Sequence, residues 1–219
     1  MLELKNVSNH HRKHSRHKLE NISLTIHKGE ILGIAGVEGN GQTELVEAMT
    51  GMGGYTSGTI EIGGKDIRGS SVAAIRALKV AHIPEDRMTM GIAPKLSLTE
   101  NMIADKLSLK KFFKNGIINR KAVRSYGEEM VDQYQVLCKS QDVSIDSLSG
   151  GNIQKVVLAR ELSGDPQVII ADQPTRGVDV GATEFIRKRL VEARDAGNGV
   201  ILVTSDLNEV LGLSDSLLV

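Results

Sequence analysis

Gly36, Val37, Glu38, Gly39, Asn40, Gly41, Gln42 and Thr43 stand between a short apolar run at 31–35 and a helix-compatible segment at 44–49. This succession of buried strand, glycine-rich turn and helix constrains the fold more than any other feature of the chain. Glycines at this spacing let successive backbone N–H groups converge on an anion, and the helix that follows turns its positive end toward the same point. The eight loop residues, with Glu44 after them, are therefore candidates to bind a phosphate chain, and the Thr43 hydroxyl is a candidate ligand for Mg²⁺. Loops of this kind carry a Lys that reaches the outer phosphates. Gln42 occupies that place, so a charge-assisted hydrogen bond of about 1.5–3 kcal/mol becomes at best a neutral one. With 23 glycines in 219 residues such spacing also arises by chance, and on these residues alone a plain strand-to-helix turn stays open.

The rest of the chain is patterned as a globular α/β protein. Strands are expected at 2–7 and 22–26, with the basic stretch 10–18 as a loop between them, and at 58–62, where Gly63 and Gly64 make the turn. A buried-type strand at 80–83 stops at Pro84, and 97–142 reads as a mostly helical insertion. Apolar strands at 168–171 and 200–204 flank a helical segment at 182–196, the spacing of a parallel crossover. The final residues Leu217, Leu218 and Val219 read as a strand, a poor place for a domain to end, so the chain is expected to be a C-terminally truncated piece of a longer polypeptide.

Composition narrows the function classes. Lys plus Arg equals Asp plus Glu at 27 each, so no positive field favours a nucleic-acid partner, and 3% aromatic residues without Trp argue against a base-stacking surface. Cys138 is the single cysteine and makes no intramolecular disulfide, and no signal-like segment opens the chain, so a cytoplasmic location is expected. No apolar run approaches the roughly 20 residues of a membrane-spanning helix, so any membrane role comes through a partner.

Two further features carry chemistry. Leu148, Ser149, Gly150, Gly151 and Asn152 precede a helix-forming segment at 153–162, which reads either as a simple N-capped helix or as a second anion cradle with Ser149 as hydroxyl donor. Asp172 ends the apolar run 168–171, where open α/β sheets hold their ligands; it is suited to orient Mg²⁺ through water, or merely to cap a turn. The glycine loop, the Ser-Gly-Gly helix start and the strand-end Asp occur in one order on the right elements, and together they leave little room for chance.

At this point the chain resembles the ABC ATPase family over nearly its whole length. Leu148–Asn152 looks like that family's LSGGQ signature, Asp172 like its Walker B Asp, Gly177-Val178-Asp179 like its D-loop, and Thr204-Ser205-Asp206-Leu207 like its switch; Glu85 falls where the Q-loop Gln stands. The resemblance implies a P-loop core with a mostly parallel sheet, an N-terminal antiparallel β subdomain and an α-helical signature subdomain. It implies one nucleotide-binding domain over 1–219, with 1–94 and 151–219 as core plus β subdomain and 95–150 as the helical part. It also implies ATP and Mg²⁺ as ligands and a head-to-tail sandwich, in which the P-loop of one domain and the signature of another close on each ATP. The partners implied are a second ABC half, transmembrane permease subunits and, indirectly, a solute-binding protein, at the inner face of the cell membrane. Residues 92–101 are the expected docking surface for the permease.

The departures from the family pattern point one way. Gln173 stands where the catalytic Glu belongs, and an amide cannot take a proton from water as a general base. Ser205 replaces the switch His, Glu85 replaces a neutral amide with a carboxylate that either binds metal or repels phosphate, and Gln42 replaces the P-loop Lys. This site is expected to hold nucleotide without turning it over, while the nearly intact signature serves another half. The segments 36–43, 84–87, 148–152 and 172–181 resemble the second ABC half of fused ATPases that serve importers of simple sugars and nucleosides, with a lean to the nucleoside members. His10, His11, His14 and His17 alternate with basic residues and read as a solvated loop rather than a metal tract, with His11 or His10 as an adenine-stacking candidate. Arg87 and Arg176 are phosphate or interface candidates, or surface ion pairs. The rivals are a P-loop kinase or other NTPase, which needs the missing Lys and an acceptor lid, and a soluble ABC protein of translation or DNA repair, which the charge balance disfavours.

Overall fold

Alternating apolar residues put Leu2 and Leu4 of β1 (Leu2–Ser8) on a buried face, and β1 pairs antiparallel with β2 (Ile22–Ile26). A computed structural model describes residues 1–9, 19–37, 39–114 and 117–219. After β2 the chain passes through β3 (Glu30–Ala35) into α1 (Gln42–Thr50), then β4 (Ser57–Ile62), β5 (Lys65–Asp66), α2 (Val72–Ala77) and β6 (Val80–Ile83). A second run carries α3 (Leu98–Ile103), β7 (Phe113–Lys114), β8 (Ile117–Ile118), α4 (Arg120–Gln133) and α5 (Gly150–Leu162). The chain closes with β9 (Val168–Asp172), α6 (Val180–Asp195), β10 (Gly199–Thr204), α7 (Leu207–Leu213) and β11 (Ser216–Leu218). It divides into two compact units, Met1–His82 with Asp165–Gln173 and Arg187–Val219, and Ile83–Gly164 with Pro174–Ile186.

The first unit holds two sheets. An antiparallel sheet runs β2-β1-β4-β5, and a five-stranded sheet runs β11-β3-β10-β9-β6, in which β10 pairs parallel with β3 and β9, and β11 parallel with β3. Every residue of β9 and β10 is buried, as expected of strands covered on both faces, and this is why they appear in the sequence as unbroken apolar runs. Leu2, Leu4, Ile26 and Ile60 of the antiparallel sheet share one apolar core with Val46 and Met49 of α1 and with Ile34, Ile170, Ile201 and Val203. Each such side chain contributes about 1.5–3 kcal/mol on burial. Register places the ends of three strands together: Thr204 pairs with Ala35 and Val203 with Asp172. The loop after β3, the carboxylate ending β9 and Ser205 after β10 thus share one sheet edge, the carboxyl edge where open α/β sheets bind ligands.

The second unit is built on α3, which packs against both α4 and α5. A capping box fixes the start of α3: the Ser97 hydroxyl accepts from the Glu100 N–H, and the Glu100 carboxylate accepts from the Ser97 N–H. The stretch 97–142 is less helical than its composition suggests. Phe113 and Lys114 pair antiparallel with Ile118 and Ile117, where β-branched residues favour the extended form, beside a buried Phe112 whose ring lies 5.2 Å from that of Tyr126. The helix expected from 153 begins at Gly150, because Ser149 caps it and two glycines are tolerated in a first turn closed by that cap. Among the described residues no helix is long and apolar enough to cross a membrane.

Candidate functional site

The loop after β3 is shaped by Gly39 and Gly41, whose φ angles of 95° and 102° lie in the left-handed region. Gly41 is the N-cap of α1 and offers no side chain to the helix, so the first turn presents its backbone N–H groups rather than a cap. Gln42 opens α1, with Thr43 exposed and Glu44 half-buried in the same turn. The Gln42 amide folds back across the loop: Oε1 accepts from the Asn40 N–H at 3.0 Å and Nε2 donates to the Val37 carbonyl at 3.2 Å. A Cβ on Gly36 would lie 2.3 Å from that Nε2, so Gly36 leaves the amide its space. A neutral amide staples the loop where a Lys would bring charge. Glu38 and the stacking candidates His10 and His11 lie outside the described residues.

Asp172 is 8% exposed, and burial pushes its carboxyl up to about 6. A carboxylate so placed suits a cation that arrives with its ligand. Thr43 and Asp172 both offer oxygen, the donor type that Mg²⁺ takes alongside phosphate and water. Gln173, next in the chain, adopts φ 46°, and its N–H donates to the Val203 carbonyl at 2.8 Å. Its Oε1 accepts from the Ser205 N–H at 3.3 Å and from the Ser205 hydroxyl at 3.4 Å. Of the four positions that the sequence marks as catalytic, Gln173, Ser205, Glu85 and Asp179, the first two therefore bond each other, and neither of these is a base. Just beyond, Asp206 caps α7, and Arg187 ties Asp206 to the buried Glu209.

In the other unit, the Ser149 hydroxyl accepts from the Asn152 N–H at 3.4 Å and from Asn152 Nδ2 at 2.9 Å, which leaves its own proton free to donate outward. Asn152 Oδ1 accepts from the Leu137 N–H at 2.8 Å, so this residue secures the helix start to the segment after α4. Leu148, before the cap, is half-buried. The next two positions are closely packed: a Cβ on Gly150 would meet the tip of the Arg87 side chain, Nη2, at 2.7 Å, and one on Gly151 would meet Asp179 Oδ2 at 2.6 Å and Ala182 Cβ at 2.8 Å. Asp179 itself accepts from the Ala182 N–H at 2.9 Å and so caps α6. Glu85 is held by the Arg176 guanidinium, an engagement that competes with any metal. Sequence reasoning missed Gln154, whose buried Nε2 donates to the Pro174 carbonyl at 2.8 Å; its polar side chain inside an apolar helix face was the available signal.

The sequence pattern of the ABC transporter family matches residues 19–176. The chain belongs to that family. Among ABC proteins it is 40% identical over 202 residues to the nucleoside import ATP-binding protein NupA of Lactococcus lactis, a match that covers 92% of this chain and 40% of the relative. It is 39% identical to the guanosine import ATP-binding protein NupO of Bacillus subtilis, over 92% of this chain and 39% of that one. The xylose import ATP-binding protein XylG of Photobacterium profundum is also 39% identical, over 100% of this chain and 43% of its own length. The chain thus spans about two fifths of the length of the curated relatives it matches. Its ABC ATPase fold agrees with the dimeric structure of the ABC transporter cassette MJ0796, at a TM-score of 0.82 and 24% identity, covering 99% of this chain and 93% of that one.

Proposed function

We propose that this chain is one ATP-binding half of an ABC importer for simple sugars or nucleosides, that its own P-loop retains ATP and Mg²⁺ with little turnover, and that its signature completes the hydrolytic site of a second ABC half. The observation that carries the reading is the contrast between the two helix starts. At α1 the side chain in the Lys position is a neutral amide bonded to its own loop, and the Gln173–Ser205 pair supplies no base. At α5 the Ser149 cap and both glycines are in place. The relatives' names support import of sugars or nucleosides, and their greater length supports a second half in the same polypeptide.

In this reading the N–H groups of the glycine loop and first turn of α1 bind the phosphates, and Thr43 and Asp172 hold Mg²⁺, which offsets phosphate charge when bound. Gln173 and Ser205 orient water without deprotonating it, so the nucleotide persists. The Ser149 hydroxyl and the N–H groups of Gly150 and Gly151 stabilise the terminal phosphate of the nucleotide held by the partner half. ATP hydrolysis to ADP and phosphate belongs to that composite site. The assembly sits at the inner face of the cell membrane, docked on permease subunits through 92–101, with the solute delivered by a binding protein.

The test is Ser149→Arg in the complete ATPase with its permease. The bulky cation displaces the cap and fills the phosphate site, so ATP turnover falls by about 100-fold or more. Turnover within about twofold of the parent would remove the proposed role of the signature.

A further inference from the structure

Residues 84–87 and 174–179 are laced together beside the start of α5, all within the second unit. Arg87 donates from Nη1 to the Arg176 carbonyl at 2.8 Å and from Nη2 to the Gly177 carbonyl at 3.0 Å. Arg176 in return grips the Glu85 carboxylate with its own guanidinium. Asp86 lies between the two and fixes the turn Arg87–Gly91, accepting from the Met88 and Thr89 N–H groups and from the Thr89 hydroxyl. The Arg87 fork also occupies the space that a side chain on Gly150 would need. One planar group therefore touches two successive carbonyls, Arg176 and Gly177, at the entry to the D-loop on one side and the first residue of the signature helix on the other.

Packing alone does not account for this placement. A cation beside a helix N-terminus opposes the helix dipole, so the position is electrostatically unfavourable for α5. The Arg87 Nε is buried without a hydrogen-bond partner, a further cost. What the fork gains is geometry. Two parallel N–H donors hold adjacent carbonyls at a set angle, which a Lys ammonium cannot do. The same edge is tied a second time by Gln154 at Pro174, and Asp179 lies against Gly151.

We propose that Arg87 is a positioning residue: it holds the D-loop turn at Arg176 and Gly177 against the first turn of α5, so that Ser149 and Asp179 meet the partner half's nucleotide as one rigid edge. This rests on the reading that the signature completes a partner's site. Arg87 reaches the nucleotide only through these groups. Its loss therefore slows the chemical step, where small displacements matter most, and leaves ATP capture by the partner's P-loop intact.

The experiment compares Arg87→Lys and Arg87→Ala with the parent in the complete ATPase and its permease, measuring kcat and KM for ATP together with thermal melting. The expected result is a kcat about tenfold lower for both variants, with KM within about twofold and no rescue by Lys, since a displaced edge costs rate rather than capture. Parent kcat in both variants, or full recovery with Lys, would overturn the role of the fork. If Arg87→Ala does not fold, Arg87→Lys alone decides, because it keeps the charge and most of the stem. Ser149→Arg is run beside them. A dead Ser149→Arg with a fully active Arg87→Lys sinks only the positioning role, whereas a fully active Ser149→Arg sinks the composite-site reading itself.

Discussion

Gln173 and Ser205 are joined across the ends of β9 and β10: Gln173 Oε1 accepts from the Ser205 N–H at 3.3 Å and from its hydroxyl at 3.4 Å. The replacements at the two positions are therefore matched to each other, and reversing one leaves the other unsuited to it. Gln173→Glu alone puts a carboxylate beside a short hydroxyl, still without the P-loop cation. Its effect on phosphate release from this site stays within about twofold. Gln173→Glu with Ser205→His and Gln42→Lys restores base, switch and cation together and raises release by at least about tenfold, since a general base held in place by its partners is worth more than that. Equal, brisk turnover in the single variant would show that Gln42 and Ser205 are not what holds the site back.

On the proposed reading, Gln42 sets the strength of nucleotide binding. Its amide is spent on Val37 and Asn40 of its own loop, so the outer phosphates gain no charge from it. Gln42→Lys tightens ATP binding by about tenfold or more, the equivalent of one charge-assisted hydrogen bond. Isothermal titration of the parent and the variant measures this. An unchanged affinity would mean that the Gln42 position does not face the phosphates.

Tyr126 gives the helical unit an alkaline weakness. Burial pushes its phenol from the usual 10.0 up to about 12, and its hydroxyl donates to Ser163 Oγ at 2.8 Å. The folded state favours the neutral phenol, so the unfolded chain ionises first as pH rises through 10. The stability this group supplies is whole below pH 10 and is lost between 10 and about 12. Tyr126→Phe costs about 1 kcal/mol at neutral pH through the lost hydrogen bond, yet flattens the fall in melting temperature over the alkaline window. Identical alkaline slopes in the two proteins would contradict the assignment.

The elements that read clearly in the sequence are those whose signal is local. The strands β3, β9 and β10 are apolar because a parallel sheet buries both faces, and the α1 start follows from its glycines. Asp172 could be placed because strand and loop are adjacent in the chain. Ser149 is legible as a cap, yet the sequence pattern starts the helix only at 153, since glycine has low helix propensity and only the cap geometry carries the first turn. The β7–β8 pair was hidden among Lys-rich, helix-compatible neighbours. Least legible were the contacts of Glu85 and Arg87, whose partners lie some ninety positions away; with no local pattern to read, a surface ion pair was the natural expectation for Arg176. The pairing of Gln173 with Ser205 was likewise visible only as two separate departures.

The central division of labour, a P-loop that keeps its nucleotide and a signature that serves another, is tested most directly by titrating the chain with ATP and Mg²⁺ while following phosphate release. Saturable binding of one ATP per chain with no release above the uncatalysed background is the predicted result. Sustained release at a rate that Gln173→Ala abolishes would contradict it.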